Sequence, residues 1–325
     1  MRWPDGKTEW LQATTEGLIN RTKSERPFFY QDEHGTVWTV PEGGTFSYYD
    51  EQAHKLVPYV LRTEGAEYSS LPLIKKYFID NQHNLWFCGE RDLTCVDFRL
   101  RRVHRATLVL NQEVRSLCED SKGNIWAGDH EGVVGVYDRK QKLIGYLNRG
   151  GKLQSAPQPF TTRVYAIFQD KKGRMWIGSK LDGLYCLDGG EILHFLHDAK
   201  NRWSLSSNDI YDIYQDKMGR IWIATYGGGL NIVMDNGKGG VRFINRSNLL
   251  RNYPAGDFMD VRRITETSTG IMLVSTNGGL LTFSGKISTP NAIDFYKSSY
   301  IHGDDTSLES STVLQTLVTR NGKIF

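Results

Sequence analysis

Five residues, Lys75, Arg115, Tyr165, Tyr211 and Arg262, stand where an apolar strand begins in a phrase that the sequence repeats. Cations and aromatic faces gathered at one opening could stack on sugar rings and pair with carboxylate or sulfate groups. Six more, Arg91, Asp129, His130, Lys180, Tyr226 and Asn277, fall in the second turn of the phrase and are expected on the same side. Their types change from copy to copy, which predicts one asymmetric ligand-binding pocket rather than a repeated one. The competing reading is that several of them pack between neighbouring structural units.

Catalytic chemistry is harder to assemble. A glycosidase needs two carboxylates facing across a sugar, and only Asp129, Glu131, Asp182 and Asp212 lie where such a pair could form. The eight histidines show no Ser–His–Asp arrangement and no metal spacing. No catalytic residue, metal or cofactor is therefore predicted. The cysteines Cys88, Cys95, Cys118 and Cys186 form no CxxC pair. Cys88 and Cys95 flank an expected hairpin turn, where a disulfide competes with the reading adopted, two half-buried thiols.

A net charge of +3, evenly spread over 325 residues, gives no electrostatic case for nucleic acid. The opening "MRWPDGKTEW" has no apolar signal core, and no apolar run approaches the roughly 20 residues that span a bilayer. Neither a signal peptide nor membrane contact is expected of this segment.

The elements that must position these residues are written in the repeat. Asp-x-x-Gly-x-x-Trp occurs at Asp32–Gly35–Trp38, Asp120–Gly123–Trp126, Asp170–Gly173–Trp176 and Asp216–Gly219–Trp222. A fifth copy, Asp80 to Trp86, has His83 in place of glycine; "TSTGIML" and "TRNGKIF" are degenerate copies ending at Leu273 and Phe325. With Trp10, the anchors 10, 38, 86, 126, 176, 222, 273 and 325 are spaced by 28, 48, 40, 50, 46, 51 and 52 residues. Such a period with short strands predicts a β-propeller. In each copy the Asp opens a turn after an apolar strand, the Gly supplies a positive φ, and the Trp presents a flat face to the next blade. Seven intervals predict an all-β, seven-bladed propeller of four-stranded antiparallel blades spanning residues 1–325, incomplete at its ends and cut from a longer chain. His83, or Asn84 beside it, must take the positive φ where glycine is absent.

The phrase Asp-x-x-Gly-x-(Ile/Met)-Trp-(Ile/Ala)-(Gly/Ala)-(Thr/Ser)-x-x-Gly-Gly-Leu, with the lead-in "NRWSLSSNDIYDIYQD", resembles the two-component regulator propeller repeat, most strongly over 108–234. That resemblance implies a sensor rather than an enzyme: the periplasmic ectodomain of a hybrid sensor histidine kinase of Bacteroidetes-type bacteria. It implies an oligosaccharide ligand, with a second propeller and a homodimer partner in the parent protein. Two alternatives stay open. One is a propeller protein-interaction scaffold, although Trp-Asp and Gly-His do not occur in register. The other is a carbohydrate-active propeller enzyme, a glycosidase or lyase.

Overall fold

The computed structural model describes residues 28–40, 46–59, 61–63, 66–68, 76–88, 93–97, 102–106, 113–140, 142–235, 240–287, 289–304, 306–308 and 310–324. Trp10, Lys75, Arg91 and Phe325 lie outside the described residues, as does the side chain of Cys88.

Six sheets follow one another along the chain. The first holds β1 (Phe28–Gln31), β2 (Val37–Val40), β3 (Ser47–Asp50) and β4 (Lys55–Pro58). The second holds β5 (Leu61–Thr63), β6 (Ala66–Tyr68), β7 (Lys76–Ile79), β8 (Leu85–Cys88), β9 (Leu93–Asp97) and β10 (Arg102–Ala106). The third holds β11 (Val114–Glu119), β12 (Ile125–Asp129), β13 (Val134–Tyr137), β14 (Leu143–Leu147) and β15 (Leu153–Gln154). The fourth is β16 (Val164–Gln169), β17 (Met175–Ser179), β18 (Leu184–Asp188) and β19 (Glu191–Phe195). The fifth is β20 (Ile210–Gln215), β21 (Ile221–Thr225), β22 (Gly229–Asp235) and β23 (Val241–Ile244). The sixth is β24 (Val261–Glu266), β25 (Ile271–Thr276), β26 (Gly279–Ser284) and β27 (Tyr296–Ser298).

Two expectations are corrected here. The described residues hold six sheets rather than seven, because the last phrase, around Thr319, forms only an isolated bridge, Val318 to Ile324. Nor are all sheets four-stranded. The β5–β6 hairpin joins the second through a parallel pairing of Arg62 with Arg102, and β15 extends the third.

The chain divides into two compact units: Met1–Ala127, Tyr137–Leu143 and Leu317–Phe325 form one, Gly128–Val136 and Ile144–Thr316 the other. In the first, Trp38 packs with Phe46 of its own sheet and with Leu85, Phe87 and Val96 of the next. In the second, Trp176 and Trp222 do the same, Trp176 among Ile210, Ile213 and Ile223, Trp222 among Ile264, Val274 and Phe283. Trp38, Trp176 and Trp222 thus each seal one sheet to its successor.

The Asp turn carries more than backbone bonds. Oδ1 of Asp170 accepts the N–H groups of Lys172 and Arg174, and Oδ2 accepts the indole N–H of Trp176 at 2.9 Å. Trp38, Trp86, Trp126 and Trp222 donate in the same way to Asp32, Asp80, Asp120 and Asp216. Where leucine replaces tryptophan at Leu273, threonine replaces aspartate at Thr267 and only the turn bond survives, from Ile271 N–H to Thr267 Oγ1. A carboxylate kept there would have a buried oxygen with no indole donor. His83 takes the left-handed backbone itself, at φ 64, where Gly173 has φ 83.

Adjacent sheets are also tied at these turns. The N–H after the turn-opening residue donates to the side chain that ends the next sheet's first strand: Asn81 to Glu119, Lys171 to Gln215, Lys217 to Glu266. Arg320 donates to Gln31 in the same manner, Lys323 Nζ lies 2.7 Å from Glu51 Oε1, and Leu317 packs on Val37, Tyr49 and Leu56. Within the first unit, the C-terminal turn therefore stands before the first sheet as each turn stands before the next.

Candidate functional site

The antiparallel meander places the β16–β17 turn at one end of its sheet and the β17–β18 turn at the other. The described candidate residues occupy the end of their sheets away from the Asp turns. There the first strands β16, β20 and β24 are neighbours. Each begins with a register shift, between Val164 and Ala166, Ile210 and Asp212, and Val261 and Arg263. The residues left without a ladder partner are Tyr165, Tyr211 and Arg262. A β-bulge bends its strand and re-aims the extra side chain, so one irregularity repeated in three sheets sets out three successive candidate residues.

They meet. Tyr165 and Tyr211 are edge to face at 5.1 Å between centroids, and Tyr211 stacks on Tyr226 at 5.3 Å and 26°. The Arg262 guanidinium lies 5.4 Å from the Tyr211 ring centre and 5.0 Å from that of Tyr226. Asn277 fixes the end of this run: its Oδ1 accepts Arg262 Nε–H at 2.9 Å, and its Nδ2 donates to Asp260 Oδ2 at 2.9 Å and Tyr226 Oη at 3.3 Å. Asp260 also accepts the Gly227 N–H, and Asp212 accepts that of Ile264. All of these side chains are half-buried, so the run presents aromatic surface and one cation to solvent.

The other candidates take separate places. Asp129 is 1% exposed and opens an Asp-x-x-Gly turn of its own, accepting the N–H groups of Glu131 and Val133. Burial opposes its ionisation more than those bonds favour it, and its pKa is raised. At Asp120 and Asp170 burial is outweighed, by bonds from Trp126 and Asn124 and from Trp176 and Arg174, and the pKa is lowered. His130 lies 3.8 Å from Glu131 Oε1. Lys180 heads a turn in which Leu181, 65% exposed, holds φ 73 and donates its N–H to Asp209. Arg115, in the first unit, pairs with Glu113 at 3.0 Å.

Asp182 accepts from Thr161 Oγ1 at 2.8 Å and Tyr185 Oη at 2.6 Å, with His194 Nε2 3.6 Å from its other oxygen. Burial and that bond push Tyr185 up to about 12. Cys95 is a buried free thiol, paired across the ladder with Trp86, while Cys88 pairs with Leu93. The described residues hold no group of three or more His, Cys, Asp or Glu arranged for a metal.

Asp260, which Asn277 holds, and the bulges are what sequence reasoning missed. A bulge has no residue signature here, but Asp260 had one: it stands two residues before Arg262 as Asp209 stands before Tyr211, and each accepts an N–H from the preceding sheet's second turn, of Gly227 and of Leu181.

Successive antiparallel meanders with a repeated tryptophan define a β-propeller, and parts of it are similar to known proteins. Residues 109–131, 159–180 and 204–227 match the two component regulator propeller family, so the resemblance read from the sequence holds. Histidine kinase P4 of Formosa agariphila is 28% identical over 74 residues, 23% of this chain and 5% of that protein. The extracellular domain of a protein assigned as a hybrid two component system, BT4673 from B. thetaiotaomicron, superposes with a TM-score of 0.68 at 16% identity. The match covers 95% of this chain and 38% of that one, so the chain spans well under half the length of these relatives. Virginiamycin B lyase from Staphylococcus aureus shares the fold at a TM-score of 0.63 and 13% identity, over 94% and 96% of the two chains. The chain is a propeller resembling the extracellular domains of hybrid two-component sensors. Among the described residues, no helix is long and apolar enough to cross a membrane.

Proposed function

We propose that this propeller is the ligand-sensing, periplasmic part of a hybrid two-component histidine kinase, and that it detects a glycan-derived oligosaccharide. The observation that carries the reading is the run Tyr165–Tyr211–Tyr226 with Arg262, built at positions whose residue type the repeat does not fix. Half-exposed rings set side by side are a platform for the apolar faces of sugars, and binding residues concentrate where a rigid scaffold varies. In the parent protein, ligand would favour one arrangement of paired ectodomains, and the kinase would read the shift.

Calorimetry of the whole chain against an oligosaccharide panel tests this. The expected result is saturable binding of one saccharide class without turnover, weakened about tenfold in Tyr211→Ala. Binding by no member of the panel contradicts it. The enzyme reading is favoured by one observation, the Asp182–Tyr185–His194 cluster of acid and base groups. Product formation abolished by Asp182→Asn would carry that reading instead.

A further inference from the structure

We infer that Arg262 receives an oxyanion, a carboxylate or a sulfate, on the ligand that occupies the tyrosine run, so that the saccharide recognised is an acidic one. The inference rests on the reading of this run as a saccharide platform and adds the ligand's charge.

Arginines stacked on aromatic rings occur elsewhere in the chain, and the comparison is informative. Arg174 lies 5.0 Å from the Trp176 ring centre and Arg220 5.5 Å from that of Trp222. Each is neutralised within its own turn, Arg174 by Asp170 at 2.7 Å and Arg220 by Asp216 at 2.6 Å. Their role is to complete the indole–carboxylate turn. Arg202 and Arg242 lie over Trp203 with no ion pair among the described residues, but both are exposed. Arg262 is half-buried and differs from all four. Its face lies against Tyr211 and Tyr226 and its Nε is held by the neutral Oδ1 of Asn277. Among the described residues it has no ion pair, and its two terminal nitrogens donate to nothing.

The nearby acid that could have neutralised it is turned to other work. Asp260 divides its oxygens between the Gly227 N–H and Asn277 Nδ2. The network therefore orients the guanidinium without discharging it. A guanidinium fixed on one edge and one face has its remaining fork presented, and a fork so fixed loses little freedom when it pairs bidentately with an oxyanion. The bulge at Arg262 sets that fork beside two ring faces. A ring-bearing ligand with an acidic substituent satisfies both at once, whereas a neutral saccharide would leave the cation half-buried and unpaired.

The test has two parts on the whole chain. First, the side-chain NMR signals of Arg262 in arginine-labelled protein are followed during titration with benzoate, benzenesulfonate and benzamide. Saturable shifts with either anion and none with benzamide are expected; no anion-dependent shift overturns the proposal. Second, oligogalacturonate, a chondroitin sulfate oligosaccharide and a neutral galacto-oligosaccharide are titrated into wild type, Arg262→Gln and Arg262→Lys. An acidic saccharide should bind about tenfold more weakly to Arg262→Gln, with Arg262→Lys between, as loss of a charge-assisted pair requires. Chondroitin sulfate carries uronate carboxylates as well as sulfates, so carboxylate is told from sulfate by whether benzoate or benzenesulfonate gives the stronger saturable shift at Arg262. If a neutral saccharide binds wild type and Arg262→Gln equally, the oxyanion site is wrong and the saccharide platform stands. If the simple anions bind at Arg262 and no saccharide does, the platform reading falls and the oxyanion site stands. Benzoate should raise the unfolding midpoint of wild type and leave that of Arg262→Gln unchanged; an Arg262 that is merely structural predicts no rise in either.

Discussion

Asp170 and Asp129 open turns of the same backbone form, yet their surroundings push their ionisation in opposite directions. Asp170 is buried but takes hydrogen bonds from an indole, a guanidinium and two backbone N–H groups, and its pKa is lowered. Asp129 is buried with backbone donors only, and its pKa is raised. Ionised Asp170 therefore stabilises the fold at and above the ordinary carboxylate range, and that stability is lost as pH falls through its depressed value. Ionised Asp129 has the opposite sign, costing stability above its raised value. Asp170→Asn should lower stability at neutral pH by about 1–3 kcal/mol, with the gap to wild type narrowing in acid. Asp129→Asn keeps the acceptor oxygen and should match or exceed wild type at neutral pH, the difference closing as pH falls. Urea unfolding of both variants across pH checks the contrast; a destabilised Asp129→Asn would contradict it.

At the scale of the element, the turn demands one left-handed residue, and the chain supplies it even where glycine is missing. His83 at φ 64 bears a conformational cost that Gly35, Gly173 and Gly219 avoid. His83→Gly should raise the unfolding midpoint, because relief of about 1 kcal/mol of backbone strain exceeds the added chain entropy. Gly173→Ala, with open space around its would-be Cβ, should cost about 1–2 kcal/mol from backbone strain alone. Thermal melts of the two would decide, and a His83→Gly melt below wild type would show that the imidazole has a stabilising contact. The turn, its strands and its tryptophan were legible in the sequence because all three are local and recur. The β5–β6 hairpin was not: its parallel pairing with β10 joins Arg62 to Arg102, a separation that no short-range pattern encodes. Among the described residues the count of seven becomes six: in the last phrase Val318 and Ile324 form a bridge without a sheet, and the phrase around Trp10 lies outside them.

Across the whole molecule, construction and recognition are assigned to different residues of one repeat. The parts that recur, aspartate, glycine and tryptophan, hold the turns, and Trp38, Trp176 and Trp222 seal their sheets to the next. The parts that vary lie at the opposite ends of the strands, where three bulges bring Tyr165, Tyr211 and Arg262 together with Tyr226 and Asn277. The candidate residues were visible as departures from the repeat. Their convergence was not, since it depends on bulge geometry and on the side-chain bonds of Asn277 with Asp260 and Arg262. The separation of roles gives the most direct test. A saccharide that binds wild type is titrated calorimetrically into Tyr211→Ala and Asp170→Asn, each also melted. Tyr211→Ala should lose affinity yet stay folded at the assay temperature, while Asp170→Asn loses stability and keeps its affinity. Unchanged affinity in Tyr211→Ala, or weakened binding by folded Asp170→Asn, would contradict the assignment of recognition to the residues that vary.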